Sequence, residues 1–182
     1  MALLLFSFLS FLAVLNLVLT PPTSALPKRS NKPEISMTIY NNCQQAFTPR
    51  FSSAPSPSFQ AREIGSKDSH VFTFDSQSLW KGQIWAPLPG RASGATTRAE
   101  IDFDSGDYDI VLDKGFNVAV YLEHQGKKYE DSCNAAVCSD ANCTDAYRKE
   151  SGLLQGTRQG DSTQAPNHAC PADFLTWVVS FC

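Results

Sequence analysis

Hydrophobic and polar residues alternate along much of the chain, in short runs that glycine, proline or serine interrupts. Three such runs follow one another in the middle of the sequence, at Ala99–Phe103, Tyr108–Leu112 and Val118–Leu122. Gly106 and Gly115 stand between them. Alternation with a period of two and glycine-containing turns at this spacing predict successive antiparallel strands.

Short runs of the same type occur on both sides of this stretch. They are Ile35–Asn41, Ala61–Ile64, His70–Phe74, Gly82–Trp85 and Phe174–Cys182. Thr48–Phe59 contains three prolines and predicts a loop or an irregular edge strand. Eight or nine short strands without a convincing long helix predict an all-β protein, an antiparallel β-sandwich.

One long segment, Asn134–Ala169, shows no sustained period of either kind. It is too long for a plain loop in a compact domain, so we expect disulfides to hold it in place. Within it, Asp145–Leu154 is compatible with one or two helical turns.

Carboxylates concentrate in the central stretch. They are Glu100, Asp102, Asp104, Asp107, Asp109 and Asp113. Glu100, Asp102 and Asp104 share a strand parity, which places them on one sheet face, opposite Ile101 and Phe103. Such a face can form the floor of an acidic groove. A solvated outer face is the alternative, because charged residues on an exposed strand face are ordinary.

The start of the chain is predicted to be a targeting segment. Ala2–Leu19 is almost entirely apolar, and small residues follow up to Ala25. This pattern predicts a signal peptide at residues 1–25, with a retained membrane anchor as the alternative. Cleavage after Lys28-Arg29 would define 26–29 as a propeptide, and an ordinary basic pair in the N-terminal segment is the other interpretation.

The length and net charge of residues 30–182 indicate the number of domains and the class of partner. Two of the fifteen basic residues and none of the eighteen acidic ones lie in residues 1–29, so the other 153 residues carry a formal net charge of −5. This length predicts one domain with a real core. The acidic charge disfavours nucleic acid as a partner. We expect a secreted, extracellular monomer with no cofactor and no membrane insertion after signal cleavage.

All six cysteines lie in this domain. They are Cys43, Cys133, Cys138, Cys143, Cys170 and Cys182. An even number of cysteines behind a secretion signal predicts three disulfides, but spacing does not choose among the fifteen possible pairings. A metal site at Cys133, Cys138 and Cys143 is the alternative, although zinc sites favour tighter cysteine pairs and a reducing compartment.

Several segments, taken in order, resemble one known family. They are Tyr40-Asn-Asn-Cys43, Gly82-Gln-Ile-Trp-Ala86, Thr96-Thr97 with Ala99–Phe103, Asp107-Tyr-Asp-Ile110, Gly115-Phe-Asn-Val118, Cys143-Thr-Asp-Ala-Tyr147 and Val178–Cys182. This ordered set resembles the thaumatin-like proteins over most of residues 35–182. The segments that carry the family's cysteine-rich lobes are missing, so the chain resembles a reduced form of the family.

The resemblance implies a disulfide pairing and a fold. The implied pairs are Cys43–Cys182, Cys133–Cys170 and Cys138–Cys143. The implied fold is the thaumatin-type β-sandwich, stapled by disulfides, with a trimmed, loop-rich second region.

It also implies where an acidic cleft would lie. Glu100 and Asp109 match two carboxylates of the family's cleft, whereas Asp107 is displaced from its counterpart. Pro87 stands where the family has an arginine, so Arg91 or Arg98 would have to replace it. Members of the family have antifungal activity, bind β-1,3-glucan or hydrolyse it weakly.

The resemblance therefore predicts binding of cell-wall β-1,3-glucan through an acidic groove, in defence or at a host interface. A weak endo-β-1,3-glucanase is an alternative, because glycoside hydrolysis needs two carboxyls and Glu100 and Asp109 would supply them. A secreted effector or inhibitor that binds a protein partner is another.

Aromatic, imidazole and amide side chains add further candidates. Trp80 and Tyr108 are candidates for stacking on sugar rings, while Trp85 and Trp177 are expected in the core. The histidines are scattered, so we expect them at the surface and without a catalytic role. They are His70, His124 and His168. Asn142-Cys-Thr is a glycosylation sequon. No metal site is predicted.

Overall fold

The computed structural model of the protein describes residues 34–56, 59–75, 80–88, 94–125, 133–148, 168–170 and 176–182. Contacts between Cα atoms divide the chain into two units, Met1–Asn31 and Lys32–Cys182, and every described residue lies in the second. The predicted signal peptide and the Lys28-Arg29 pair lie outside the described residues. No described helix is long and apolar enough to cross a membrane.

Ten strands make up the described part of the chain. They are β1 Glu34–Asn41, β2 Arg50–Phe51, β3 Asp68–Asp75, β4 Lys81–Trp85, β5 Arg98–Asp102, β6 Asp107–Val111, β7 Val120–His124, β8 Ala136–Cys138, β9 His168–Ala169 and β10 Thr176–Phe181. They form two five-stranded sheets. Sheet I has the order β3-β1-β10-β7-β8, and sheet II has the order β2-β4-β5-β6-β9. The all-β prediction is confirmed.

One pair departs from the predicted antiparallel arrangement. Strands β1 and β10 run parallel in the centre of sheet I, with Met37 opposite Trp177 and Ile39 opposite Val179. Parallel neighbours need a long crossover connection. Here the crossover is almost the whole domain, since every strand of sheet II lies between β1 and β10 in sequence.

The two sheets bury their facing sides in one hydrophobic core. Sheet I contributes alternate residues of β1, β7 and β10, including Met37, Leu122 and Val179. Sheet II contributes the row Ile84, Ala99 and Ile110, which are partners across β4, β5 and β6. Rings join the layers, because Phe103 and Tyr108 both contact Trp177, with ring centroids 6.1 and 5.4 Å apart.

Short strands account for the errors in the predicted elements. Ala61–Ile64 forms no strand but one isolated bridge, between Ile64 and Phe47. Conversely, β8 and β9 lie in Asn134–Ala169, where no period was visible. Strands of two or three residues are too short to show a period, and their partner strands stabilise them. The described part of Asp145–Leu154 contains a bridge from Tyr147 to Val111, and its remainder lies outside the described residues.

Three disulfides hold the sheets and the loop between them. They join Cys43 to Cys182, Cys133 to Cys170, and Cys138 to Cys143, and no described cysteine is free. These are the pairs that the family resemblance implies. The first joins the ends of β1 and β10. The second ties the segment before β8 in sheet I to the residue after β9 in sheet II.

Candidate functional site

The outer face of sheet II brings the predicted carboxylates together. Glu100 on β5 lies directly opposite Gln83 on β4 and Asp109 on β6. Residues directly opposite each other in an antiparallel ladder share a face, with Cβ atoms about 4.5–5.5 Å apart. Arg98 and Asp102 share the strand parity of Glu100 and lie on the same face. We call this set, with Lys81 opposite Asp102, the acidic face.

Apart from Lys81, which is partly exposed, the acidic face is buried rather than open. Glu100 is 0% exposed and Asp109 is 6% exposed, and Gln83, Arg98 and Asp102 are also buried. The expectation that Glu100 and Asp109 share an exposed groove is therefore wrong for these two side chains. Strand parity predicts which side of a sheet a residue faces but not what lies above it. At one edge, Tyr147 packs on Val111 and exchanges backbone hydrogen bonds with Ile110 and Leu112.

A polar network runs through this buried layer. The Arg98 guanidinium donates from Nη1 to Gln83 Oε1 at 2.6 Å, and Gln83 Nε2 donates to Glu100 Oε1. Arg98 also forms an ion pair with Asp113. The Gln83 amide thus links a cation to a carboxylate. Its oxygen accepts from Arg98, and its NH₂ group donates to Glu100. Such pairing is what allows charged groups to be buried.

The two arginine candidates have different outcomes. Arg98 belongs to the acidic face, two residues before Glu100 on β5, and is bound within the network. Arg91 lies outside the described residues. Pro87 is exposed, just after β4.

Asp102 has a structural role at the end of β5. Its Oδ2 pairs with Lys81 Nζ at 2.5 Å, and its Oδ1 accepts the backbone N–H groups of Asp104 and Ser105 at 2.9 and 3.3 Å. The hydrogen bond that Lys81 donates to Asp102 raises the pKa of Lys81 above its ordinary value. Because β5 ends at Asp102, Asp104 lies in the turn and not on the strand face with Glu100, contrary to the parity prediction.

Among the described carboxylates of this stretch, solvent reaches those at or beyond the ends of strands, which are Asp104, Asp107 and Asp113. Asp104 is exposed and Asp107 partly exposed, on either side of Gly106, whose φ of 74° makes the turn tight. Ser105 Oγ donates to Asp107 Oδ2 at 2.9 Å. We call Lys81, Asp104 and Asp107 the acidic rim.

The two aromatic binding candidates are both core residues. Trp80 is 6% exposed; its indole Nε1 donates to Ser53, with Oγ at 3.1 Å, and its ring centroid is 5.2 Å from that of Phe103. A Cβ at Gly82 would lie 2.1 Å from Trp80 Cζ2, so the ring occupies the space that glycine leaves. The prediction that Trp80 stacks on a sugar is wrong for this structure.

The Tyr108 side chain points into the core, on the same face of sheet II as Ile101. The two residues are partners across β5 and β6, and Tyr108 is 1% exposed. Its hydroxyl donates to the Asn134 carbonyl at 2.5 Å, and burial raises the pKa of Tyr108 above its ordinary value. A sugar cannot stack on this ring, and that prediction is also wrong.

Two histidines contradict the expectation of a surface position. His168 is buried against Tyr108, with its Nε2 2.8 Å from Asp145 Oδ1, and His124 is buried with its ring centroid 4.8 Å from that of Trp177. His124 shares the parity of Val120 and Leu122 on β7, a signal that could have predicted its burial. Nothing comparable in the sequence pointed to the His168–Asp145 contact. His70, on β3, is partly exposed.

The glycosylation candidate occupies an exposed turn. Asn142 donates its backbone N–H to Asp140 Oδ1 at 2.7 Å, next to the disulfide-bonded Cys143. Its modification stays a prediction.

Comparison with known proteins gives one informative result. No protein-family model matches the sequence, and no curated protein matches it. Among solved structures, the chain is similar to a thaumatin-like xylanase inhibitor, with 21% sequence identity and a TM-score of 0.51. The match covers 80% of this chain and 98% of that one. With its two sheets and three disulfides, the chain therefore has the thaumatin-like fold.

Proposed function

We propose that the protein is a secreted, non-catalytic binding protein that recognises cell-wall β-1,3-glucan. The observation that carries the non-catalytic part is the burial of Glu100, which is 0% exposed and bonded to Gln83. Three disulfides in a small domain support secretion, because disulfides persist in oxidising compartments. Antifungal or defence activity would follow from wall binding.

Hydrolysis of a glycosidic bond sets a requirement that this site does not meet. The general acid must come within hydrogen-bond reach of the glycosidic oxygen, and a second carboxyl must reach the sugar or a water. Glu100 and Asp109 are adjacent across two strands, as such a pair would be, but both are buried. A glucan chain lying on the surface could not contact the Glu100 carboxyl.

The acidic rim is where we place the glucan contact. Carboxylates accept hydrogen bonds from sugar hydroxyls, and an ammonium donates to them. Asp104 and Asp107 supply the first, and Lys81, held beside Asp102, supplies the second. The net acidic charge of the chain favours a neutral polysaccharide over an anionic polymer.

The test is a pull-down with insoluble β-1,3-glucan, in which the supernatant is assayed for reducing ends. We expect the protein in the pellet and no reducing ends above the blank. Asp104→Asn with Asp107→Asn should weaken retention about tenfold, since the two weakened hydrogen bonds at exposed sites are together worth roughly 1.4 kcal/mol.

Two control variants test whether glucan retention depends on the acidic rim. One changes a buried carboxylate, and the other changes an exposed carboxylate in the other sheet. Glu100→Gln should retain glucan as the wild type does, because its side chain is inside. Glu34→Gln, an exposed carboxylate at the start of β1 in the other sheet, should also leave retention unchanged. Release of reducing sugar that Glu100→Gln abolishes would refute the non-catalytic proposal, and absence of retention would refute the glucan proposal.

A protein partner is the second candidate, and the structural neighbour favours it. That neighbour is a thaumatin-like xylanase inhibitor, so this fold has served to bind an enzyme. The test is inhibition of secreted glycoside hydrolases, xylanases first. Inhibition at stoichiometric concentration, together with no retention on glucan, would select this candidate over the first.

A further inference from the structure

A cavity of about 420 Å³ lies at the end of sheet I where β1 and β10 finish. It is lined by Asn42, Gln44, Gln45, Lys67, Leu88 and the Cys43–Cys182 disulfide. Its volume falls in the range of small-molecule sites, about 300–1,000 Å³. It shares no residue with the acidic face or the acidic rim, and nothing in the sequence singled it out.

A buried asparagine shapes the wall of this cavity. Asn41 Nδ2 lies 2.9 Å from each of three carbonyls, those of Gln45, Ile64 and Gly65, and its Oδ1 accepts the N–H of Cys43 at 3.0 Å. One side chain thus fixes the loop after β1 against the turn before β3. A pre-organised wall reduces the entropy lost when a ligand binds.

Backbone strain is concentrated at the same place. Among the described residues, the non-glycine residues with positive φ are Lys67, at 61°, and Cys182, at 67°, and both line the cavity. Left-handed conformations are unfavourable for side chains with a Cβ and tend to persist at functional sites. In this conformation, Lys67 Nζ donates to the Asn42 carbonyl across the cavity wall.

The lining chemistry matches a neutral sugar. Amide side chains offer a donor and an acceptor each, which suits vicinal hydroxyls. Among the described residues, no hydrogen-bond partner engages the Gln44 and Gln45 side chains, and both residues are exposed. Leu88 and the disulfide give an apolar patch for the C–H face of a sugar ring. Among the described residues that line the cavity, Lys67 is the one with a charged side chain.

We propose that this cavity binds one or two units of a soluble neutral oligosaccharide, with Gln44 and Gln45 as the main hydrogen-bonding groups. The site itself follows from its lining. The choice of a β-1,3-linked glucose unit as the first ligand rests on the proposed function.

The test is a titration of the secreted, disulfide-bonded protein with laminaribiose, the β-1,3-linked glucose disaccharide, followed by calorimetry and ligand-observed NMR. Cellobiose and xylobiose are run in parallel. We expect saturable binding, weakened at least tenfold by Gln44→Ala with Gln45→Ala. Gln125→Ala is the matched control, because this exposed glutamine bonds to Thr176, at the opposite end of β10.

A substitution at Lys67 separates binding from folding. Lys67→Gly removes the ammonium but suits a φ of 61°, so the midpoint of thermal unfolding should not fall while affinity drops about threefold. A fall in both would assign Lys67 a structural role and count against its part in the site.

The outcomes distinguish this proposal from the proposed function. Saturable binding of cellobiose or xylobiose that needs Gln44 and Gln45, without laminaribiose binding, would support the cavity and count against glucan as its ligand. Retention on insoluble glucan with no disaccharide binding would support the rim and overturn the cavity. Disaccharide binding that the double variant leaves unchanged would also overturn it.

Discussion

The outer faces of the two sheets differ although the strands that build them have similar alternation. On sheet I, the row Ser69, Tyr40, Ser180, Tyr121 and Val137 crosses all five strands and faces solvent. The large hydrophobic residues exposed in the described chain, Tyr40, Val71 and Val137, all lie on that face. On sheet II the corresponding row holds Gln83, Glu100 and Asp109, and it is buried.

The exposed face is thus the less polar one, and the charged face is inside. Hydroxyl and apolar side chains do not require a buried partner at a wet surface, so sheet I can face water without buried ion pairs. Buried charges need one, and sheet II supplies it through Arg98, Gln83 and Asp113. Composition alone would therefore predict that the charged face of sheet II is exposed and the less polar face of sheet I is buried, which is the reverse of the structure.

Sheet I is closed by the disulfide at the ends of β1 and β10. Loss of this disulfide should have the largest effect on the free energy of unfolding. Cys43→Ser with Cys182→Ser opens a link across 139 residues, which the chain-entropy model values at about 5 kcal/mol of unfolding free energy. Equilibrium urea unfolding measures the loss. Cys138→Ser with Cys143→Ser, with a separation of 5, should cost about 2 kcal/mol. Equal losses would contradict loop closure as the cause.

A smaller effect is expected from the buried network of sheet II. Arg98→Ala removes the partner of Gln83 and Asp113 and should lower the free energy of unfolding by about 2 kcal/mol, because the buried Gln83 oxygen loses its donor and the packed arginine stem is removed, while the exposed Asp113 is solvated by water. Thr38→Ala, on the outer face of sheet I, should stay within about 0.5 kcal/mol. If both variants lose equally little in urea unfolding, the acidic face is wet, and hydrolysis by Glu100 becomes a candidate again.

The smallest expected effect is an alkaline loss of stability, to which both faces contribute. Burial, and then the hydrogen bond to Glu123, raises the pKa of Tyr121 to about 12. The pKa of Lys81 is also raised. A group with a raised folded-state pKa stabilises fully below its unfolded pKa, about 10 for tyrosine, and this contribution is lost as pH rises towards the folded value.

Thermal unfolding midpoints between pH 8 and 11 test this expectation. Wild-type protein should lose stability above about pH 10, and Tyr121→Phe should show a shallower decline, because phenylalanine does not titrate. Tyr40→Phe is the matched control, because Tyr40 is exposed in the same row of sheet I, with β10 between its strand and that of Tyr121. An identical decline in Tyr121→Phe and wild type would contradict a contribution from Tyr121.

The sequence predicts strands well where a period of two lasts four residues or more. The predicted Ile35–Asn41 and Gly82–Trp85 each lie within one residue of β1 and β4. The alignment of Glu100 with Asp109 was also predictable, since both matched a family cleft. Their burial was not, because it depends on contacts with segments distant in sequence. The same reason explains Trp80, whose turn-like setting concealed a place beside Gly82 and Phe103.

The position of β10 has a consequence for biosynthesis. It follows the other nine described strands in the sequence, yet it lies between β1 and β7 in sheet I. During vectorial synthesis the ribosome delivers this strand after both of its neighbours, so they wait with unpaired edges until it emerges. Pairing of β10 and oxidation of Cys43 with Cys182 therefore follow the synthesis of β1 and β7, and until then the edges that β10 covers can pair with other chains.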